Sequence, residues 1–152
     1  MGKEDAYRNA ASPFGFENLE AYKAAREFRK RIFRLAKTLP PAERFCLTQQ
    51  MKKAALSITN NIAEGHGRFN WQDNSRFCRI SRGSLSEVVD DINTCQDEDY
   101  ITPDQAGDLK RDAARVFRLL NGYISYLQSK QAAQAAGNRP PKNGFRPDQP
   151  VA

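Results

Sequence analysis

Five cations recur at helical spacing early in the chain: Lys23, Arg26, Lys30, Arg34 and Lys37. At about 100° per residue they fall within roughly 80° of arc, and at 1.5 Å per residue the row runs about 21 Å. A row of that length meets several phosphates at once, and release of their counterions would drive association. An ordinary solvated face would carry the same residues, with Glu20 and Glu27 as ion-pair partners. Exposed pairs stabilise little, so stability alone is a poor reason for five cations in line. The phosphate-facing reading requires that these side chains stay clear of the protein's own carboxylates.

Further along, Lys52, Lys53 and Arg68 are placed to extend a basic surface, and so are Arg76 and Arg79. Arg76, Arg79 and Arg82 precede a run of acids, Glu87, Asp90, Asp91, Asp97, Glu98 and Asp99. If this stretch is one helix, its macrodipole favours the opposite order. A polyanionic partner for the arginines would offset that cost. Internal pairing, for instance of Glu64 with one of these arginines, would do the same.

Catalytic chemistry finds little material. His66 is the one histidine. Ser57, Ser81, Ser84 and Ser86 lack a G-x-S-x-G elbow and an S-x-x-K partner. Asp90 and Asp91 are adjacent and diverge by about 100° on a helix, which prevents a shared proton. Cys46, Cys78 and Cys95 form no C-x-x-C pair, which fits reduced thiols and neither a disulfide framework nor a zinc site. The order around Gly65 and Gly67 is not that of a phosphate-binding loop. No catalytic residue, metal ligand or cofactor is therefore assigned, and a non-enzymatic role is expected. The segment from Asn60 to Arg68 reads instead as a polar lock between two helices, closed by glycines that accept the left-handed conformation at a helix end. Phe69, Trp71 and Phe77 beside it suit packing or stacking on bases.

The elements that position these residues are helices. Ala21, Ala25, Phe28, Ile32, Leu35 and Leu39 form a seam in a first helix from about Glu17, stopped by Pro40-Pro41. Leu47, Met51, Ala54, Ile58 and Ile62 mark a second. Cys78, Ser81, Leu85, Val88, Ile92 and Cys95 mark a third, from about Trp71 to Asp99. Thr102-Pro103 with Gln105 is a capping box opening a fourth, followed by Ala106, Leu109, Ala113, Val116, Leu120, Tyr123 and Leu127. No strand-like alternation is present. The fold class is all-α, an antiparallel up-down four-helix bundle.

Within a single domain, residues 1–15 are expected to be a flexible arm, with Phe14 or Phe16 docking on the body. Residues 16–130 form the bundle, and 131–152 a Pro-rich disordered C-terminal tail into which the last helix frays as far as Ala136. Tyr22, Phe33, Ala36, Phe77, Ile80, Val89, Phe117 and Ile124 widen the seams, which suits packing between subunits.

The chain has 152 residues, 39% of them hydrophobic and 28% charged, with a formal charge of +6. It contains no apolar run of about 18 residues, and its first residues lack the pattern of a secretory signal or a myristoylation site, so a cytoplasmic protein with no membrane association is expected. The positive balance favours acidic partners, nucleic acid first.

The stretch from Leu47 to Glu87 carries a double motif. Its first part is Gln50, Lys53, Ala54, Ala55, Ser57, Ile58, Asn61, Ile62, Ala63, Glu64, Gly65, Gly67 and Arg68; its second is Arg82, Gly83, Ser84, Leu85 and Glu87. With F-E-N-L-E-A-Y at Phe16 to Tyr22 and P-x-x-E at Pro40 to Glu43, it resembles the bacterial four-helix-bundle family named for proteins encoded within 23S rRNA intervening sequences. The resemblance covers residues 16 to about 128, and Lys53 stands where that family commonly has arginine. It implies an up-down bundle assembling as a homopentameric barrel. The superfamily includes the accessory variability determinants of diversity-generating retroelements, which bind nucleic acid and a reverse transcriptase. The segment G-H-G-R-F-N-W-Q-D-N is similar to that of those retroelement-associated members.

Two functions follow as expectations. One is a non-catalytic, ring-shaped homo-oligomer binding structured RNA or RNA/DNA through Lys23, Arg26, Lys30, Arg34 and Lys37, with Lys52, Lys53, Arg68, Arg76 and Arg79 around them. In that reading Asn61, Glu64, Gly65, Gly67, Arg82 and Ser84 are structural. The other is a protein–protein scaffold docking on a reverse transcriptase or another partner, with little direct RNA contact.

Overall fold

The computed structural model describes residues 12–138, and among them it contains helices and no strand. The four α-helices are α1 (Glu20–Thr38), α2 (Leu47–Gly67), α3 (Trp71–Asp97) and α4 (Pro103–Gly137). Short 3-10 turns occupy Gly15–Asn18 and Pro41–Glu43. Each helix packs on its neighbours in sequence and α4 closes on α1, whereas α1 does not reach α3 and α2 does not reach α4. This is a square up-down bundle. None of its helices is long and apolar enough to cross a membrane.

The seams become the core, which runs from Ala25, Phe28 and Ile32 on α1 to Val116, Leu120 and Leu127 on α4. All five expected positions on α2 and all six on α3 are buried. Two seams shift by one residue: Ala36 is buried where Leu35 was expected, and Ile124 where Tyr123 was. In both cases the larger residue lies at the seam edge, where its extra volume reaches the core from the side.

Chain ends of the helices follow local chemistry. Leu39 precedes Pro40 and is extended, with φ −67° and ψ 150°, as the proline ring requires of its predecessor. Glu43 then joins two elements, its carboxylate accepting from the Leu47 amide at 3.4 Å and the Tyr100 hydroxyl at 2.8 Å. The Thr102 capping box is complete: Thr102 Oγ1 accepts from the Gln105 amide at 3.2 Å, and Gln105 Oε1 from the Thr102 amide at 2.9 Å. Asn70 caps α3, its Oδ1 accepting from the amides of Gln72 and Asp73. α3 ends with the Tyr100 amide donating to the Cys95 carbonyl and Asp99 at φ 59°, a Schellman closure with aspartate in the left-handed position.

Three expectations about boundaries are revised. α1 begins at Glu20, since Gly15–Asn18 is a separate 3-10 turn. α4 continues to Gly137, one residue past the Ala136 to which it was expected to fray; residues 1–11 and 139–152 lie outside the described residues. Among the described residues no glycine takes a positive φ, so Gly65 and Gly67 do not supply the left-handed turn between α2 and α3. Phe69 does, at φ 51°.

Candidate nucleic-acid interface

The row on α1 lies where its periodicity puts it, on the outward face, with all five side chains exposed. The expectation that all five stay clear of carboxylates holds for three. Lys23 pairs with Glu20 at 3.1 Å and Lys30 with Glu27 at 2.7 Å, both within α1. Arg26, Arg34 and Lys37 make no ion pair among the described residues. Glu27 sits inside the row, and its carboxyl is held below the usual range by the hydrogen bond from Lys30 and by the charges of Lys30, Arg26 and Arg34. Both pairs are solvent-exposed, and pairs of this kind stabilise little.

The remaining basic residues do not join the row into one continuous patch. Lys52 lies over the Phe33 ring at 5.8 Å, at the α1/α2 edge, and borders it. Lys53 is exposed on the outer face of α2. Arg68 is bound to Glu64 at 2.7 Å and covers the Phe77 ring at 5.3 Å. That pair corrects the expectation that Glu64 would meet an arginine of α3. Arg76 and Arg79 are exposed but stand on α3, the helix diagonal to α1, and so belong to a different face of the bundle. Arg82 donates to Asn121 Oδ1 at 2.8 Å and helps fasten α3 to α4.

Two basic residues escaped the sequence reading. Arg115 of α4 lines a shallow recess with Lys23, Glu27 and Asp112, which carries positive charge from the α1 row across to α4. Arg31 donates to Asp108 at 2.7 Å and to Asp112, closing α1 on α4. These hydrogen bonds raise the Arg31 pKa and lower that of Asp108. The i, i+4 spacing of the two aspartates was the available signal.

The motif between Asn61 and Ser84 is a lock. Asn61 Nδ2 donates to the Ser57 carbonyl at 2.8 Å and to Ser57 Oγ at 3.0 Å; Ser57 and Ser84 hydroxyls meet at 2.7 Å. Because Ser84 donates to the Ile80 carbonyl at 3.2 Å, Ser57 is the donor between the two serines. Ser81 adds a bond to the Ile58 carbonyl at 2.7 Å. At Gly65 α2 and α3 approach closely: a Cβ there would come within 2.9 Å of Asn74 Oδ1 and Phe77 Cβ. Gly67 has open space around it. Asn61, Glu64 and His66 occupy three separate environments, turned respectively to Ser57, Arg68 and the Gly15–Phe16 turn.

At the same end of the bundle, Phe16 packs on Tyr22 and on His66, which is the expected docking of the N-terminal segment. His66, Phe69, Asn70, Trp71, Asn74 and Tyr123 line a cavity of about 360 Å³. A second recess, of about 380 Å³ and nearly all apolar, lies between α3 and α4 around Leu85, Val89, Ala113 and Phe117.

A sequence profile described as 23S rRNA-intervening sequence protein matches residues 17–122. A crystal structure from Bacteroides thetaiotaomicron, a protein of unknown function from the S23 ribosomal protein family, superposes with a TM-score of 0.64 at 24% identity. It covers 68% of this chain and 97% of that one, and shows the shared fold. A 14-3-3 protein homolog of Encephalitozoon cuniculi is 27% identical over 137 residues, 90% of this chain; the chain spans 45% of that protein's length.

Proposed function

This chain belongs to the 23S rRNA-intervening sequence protein family, and from that premise we propose that it is a non-catalytic, cytoplasmic nucleic-acid-binding protein. It acts on structured RNA or RNA/DNA as a ring-shaped homo-oligomer, a pentamer as the resemblance of its motifs implies, and serves as an accessory to a reverse transcriptase. The observation that carries the proposal is the outward face of α1, five cations over about 21 Å with Arg26, Arg34 and Lys37 unpaired among the described residues. Binding of this kind is mainly electrostatic and weakly sequence-specific.

The test is the salt dependence of affinity for a structured RNA, compared with the triple variant Arg26→Glu, Arg34→Glu, Lys37→Glu. The slope of log K against log salt should become shallower by about 2–3 in the variant, one phosphate contact per side chain. A salt-insensitive complex, or none at low ionic strength, overturns the proposal. The mass of the assembled particle with and without RNA tests the ring.

The apolar recess between α3 and α4 favours a second reading, a scaffold that docks a protein partner there, with Phe117 exposed at its rim. A partner complex that survives nuclease treatment supports that reading.

A further inference from the structure

We propose that the cavity at the bundle end is a stacking site for one unpaired base of a single-stranded nucleic acid segment. The inference rests on the nucleic-acid reading above and gives that reading a second, non-electrostatic component. Its central observation is Phe69. This side chain is 92% exposed and its backbone is left-handed, at φ 51°. Glycine fits that conformation without strain, and burial gives phenylalanine no reason to be there. Neither local structure nor the core accounts for the residue.

Its neighbours repeat the pattern. Trp71 is 38% exposed and Tyr126 48%, their rings edge-to-face at 6.3 Å. Tyr126 stacks on Tyr123, centroids 6.2 Å apart and planes 15° from parallel, while His66 meets Phe69 at 6.4 Å. Phe69, Trp71 and Tyr123 line a cavity of about 360 Å³, with Tyr126 beside it, at the small end of ligand-pocket sizes, roughly 300–1,000 Å³.

The polar inventory suits a base edge. The His66 ring makes no hydrogen bond among the described residues. Asn70 spends its carbonyl oxygen on the α3 cap and keeps its NH2 free to donate. Tyr123 accepts from Asn74 at 3.0 Å, which leaves its own O–H available. Lys130, unpaired among the described residues, lies over the Tyr126 ring at 5.4 Å and is available to a phosphate. His66 of the cavity meets Phe16, and Phe16 meets Tyr22, the residue before Lys23, so the cavity lies at the end of the bundle where the α1 row starts and is within reach of a strand laid along it. A protein side chain would use the aromatic faces but has less use for free donors beside a cation.

Trp71 is the chain's one tryptophan and reports directly on the site. The full-length protein is titrated with a short oligoadenylate and with an abasic oligonucleotide of the same phosphate count, following Trp71 fluorescence and affinity. Oligoadenylate should quench Trp71 and bind more tightly than its abasic counterpart. Phe69→Ala, which removes nothing from the core, should weaken oligoadenylate about tenfold and leave the abasic strand unaffected. Equal binding of both strands with no response from Trp71 overturns the stacking site while leaving the α1 reading intact. Failure of either strand and of structured RNA to bind at low salt overturns both. A Trp71 signal that changes with protein concentration alone assigns the cavity to a second copy and overturns the inference.

Discussion

On the inner side of α3, Asp91 is 8% exposed and its Oδ2 has no hydrogen-bond partner among the described residues. Burial, with Asp90 and Glu87 nearby, pushes its pKa up to about 6 from 3.8. The ionised form is therefore the disfavoured one in the fold. The contribution of Asp91 to stability should be most favourable below about pH 4, fall between there and about pH 6, and stay level above. Replacing Asp91 by Asn should stabilise the protein by about 1–3 kcal/mol at pH 7 and flatten this pH dependence, as read by urea melts at several pH values. The sequence told us that Asp90 and Asp91 point apart; it did not say that Asp91 would be drawn inside, because the α3 seam was read from its apolar members. Phe69 was equally hidden. Two nearby glycines look like the natural owners of a left-handed turn, yet both stay helical. Phe69→Gly should relieve the strain and stabilise the free protein by about 1 kcal/mol, measured by thermal unfolding.

At the level of elements, the seams were legible because a four-helix bundle has one burial direction per helix, and spacing alone reports it. The capping box at Thr102 was legible for a related reason: it is complete within four residues. What spacing cannot report is how closely two helices approach. Gly65 and Gly83 are both helical, but a Cβ on Gly65 would press on Asn74 and Phe77, whereas Gly83 has nothing within 4 Å. Gly65→Ala should force α2 and α3 apart and cost about 1–3 kcal/mol. Gly83→Ala should instead stabilise by about 1 kcal/mol, as expected of an exposed helix interior. Equal effects in denaturant titrations would show that the close packing at Gly65 does not govern the α2/α3 contact.

Across the whole molecule, the candidate site was only partly readable. The α1 row follows from periodicity, so Lys23, Arg26, Lys30, Arg34 and Lys37 share a face as expected. Arg76 and Arg79 do not extend it, because α1 and α3 are diagonal in an up-down bundle, a consequence of how the four helices close together that no single helix encodes. Arg115 joins the row for the same global reason. The row and the aromatic cavity then differ in physical kind, and salt separates them. Counterion release sets the slope of log K against log salt, while base stacking is nearly independent of ionic strength and shifts the whole line. Reversing Arg26, Arg34 and Lys37 should change the slope for both abasic and natural single strands. Phe69→Ala should lower the line for the natural strand by about one decade at every salt concentration without changing its slope. Combining the two sets of substitutions should give additive losses, since the changes lie on separate elements and share no partner. A Phe69→Ala line that converges on the wild-type line at high salt would mean that the aromatic residue acts through the charges around it, and the separation of the two components would fail.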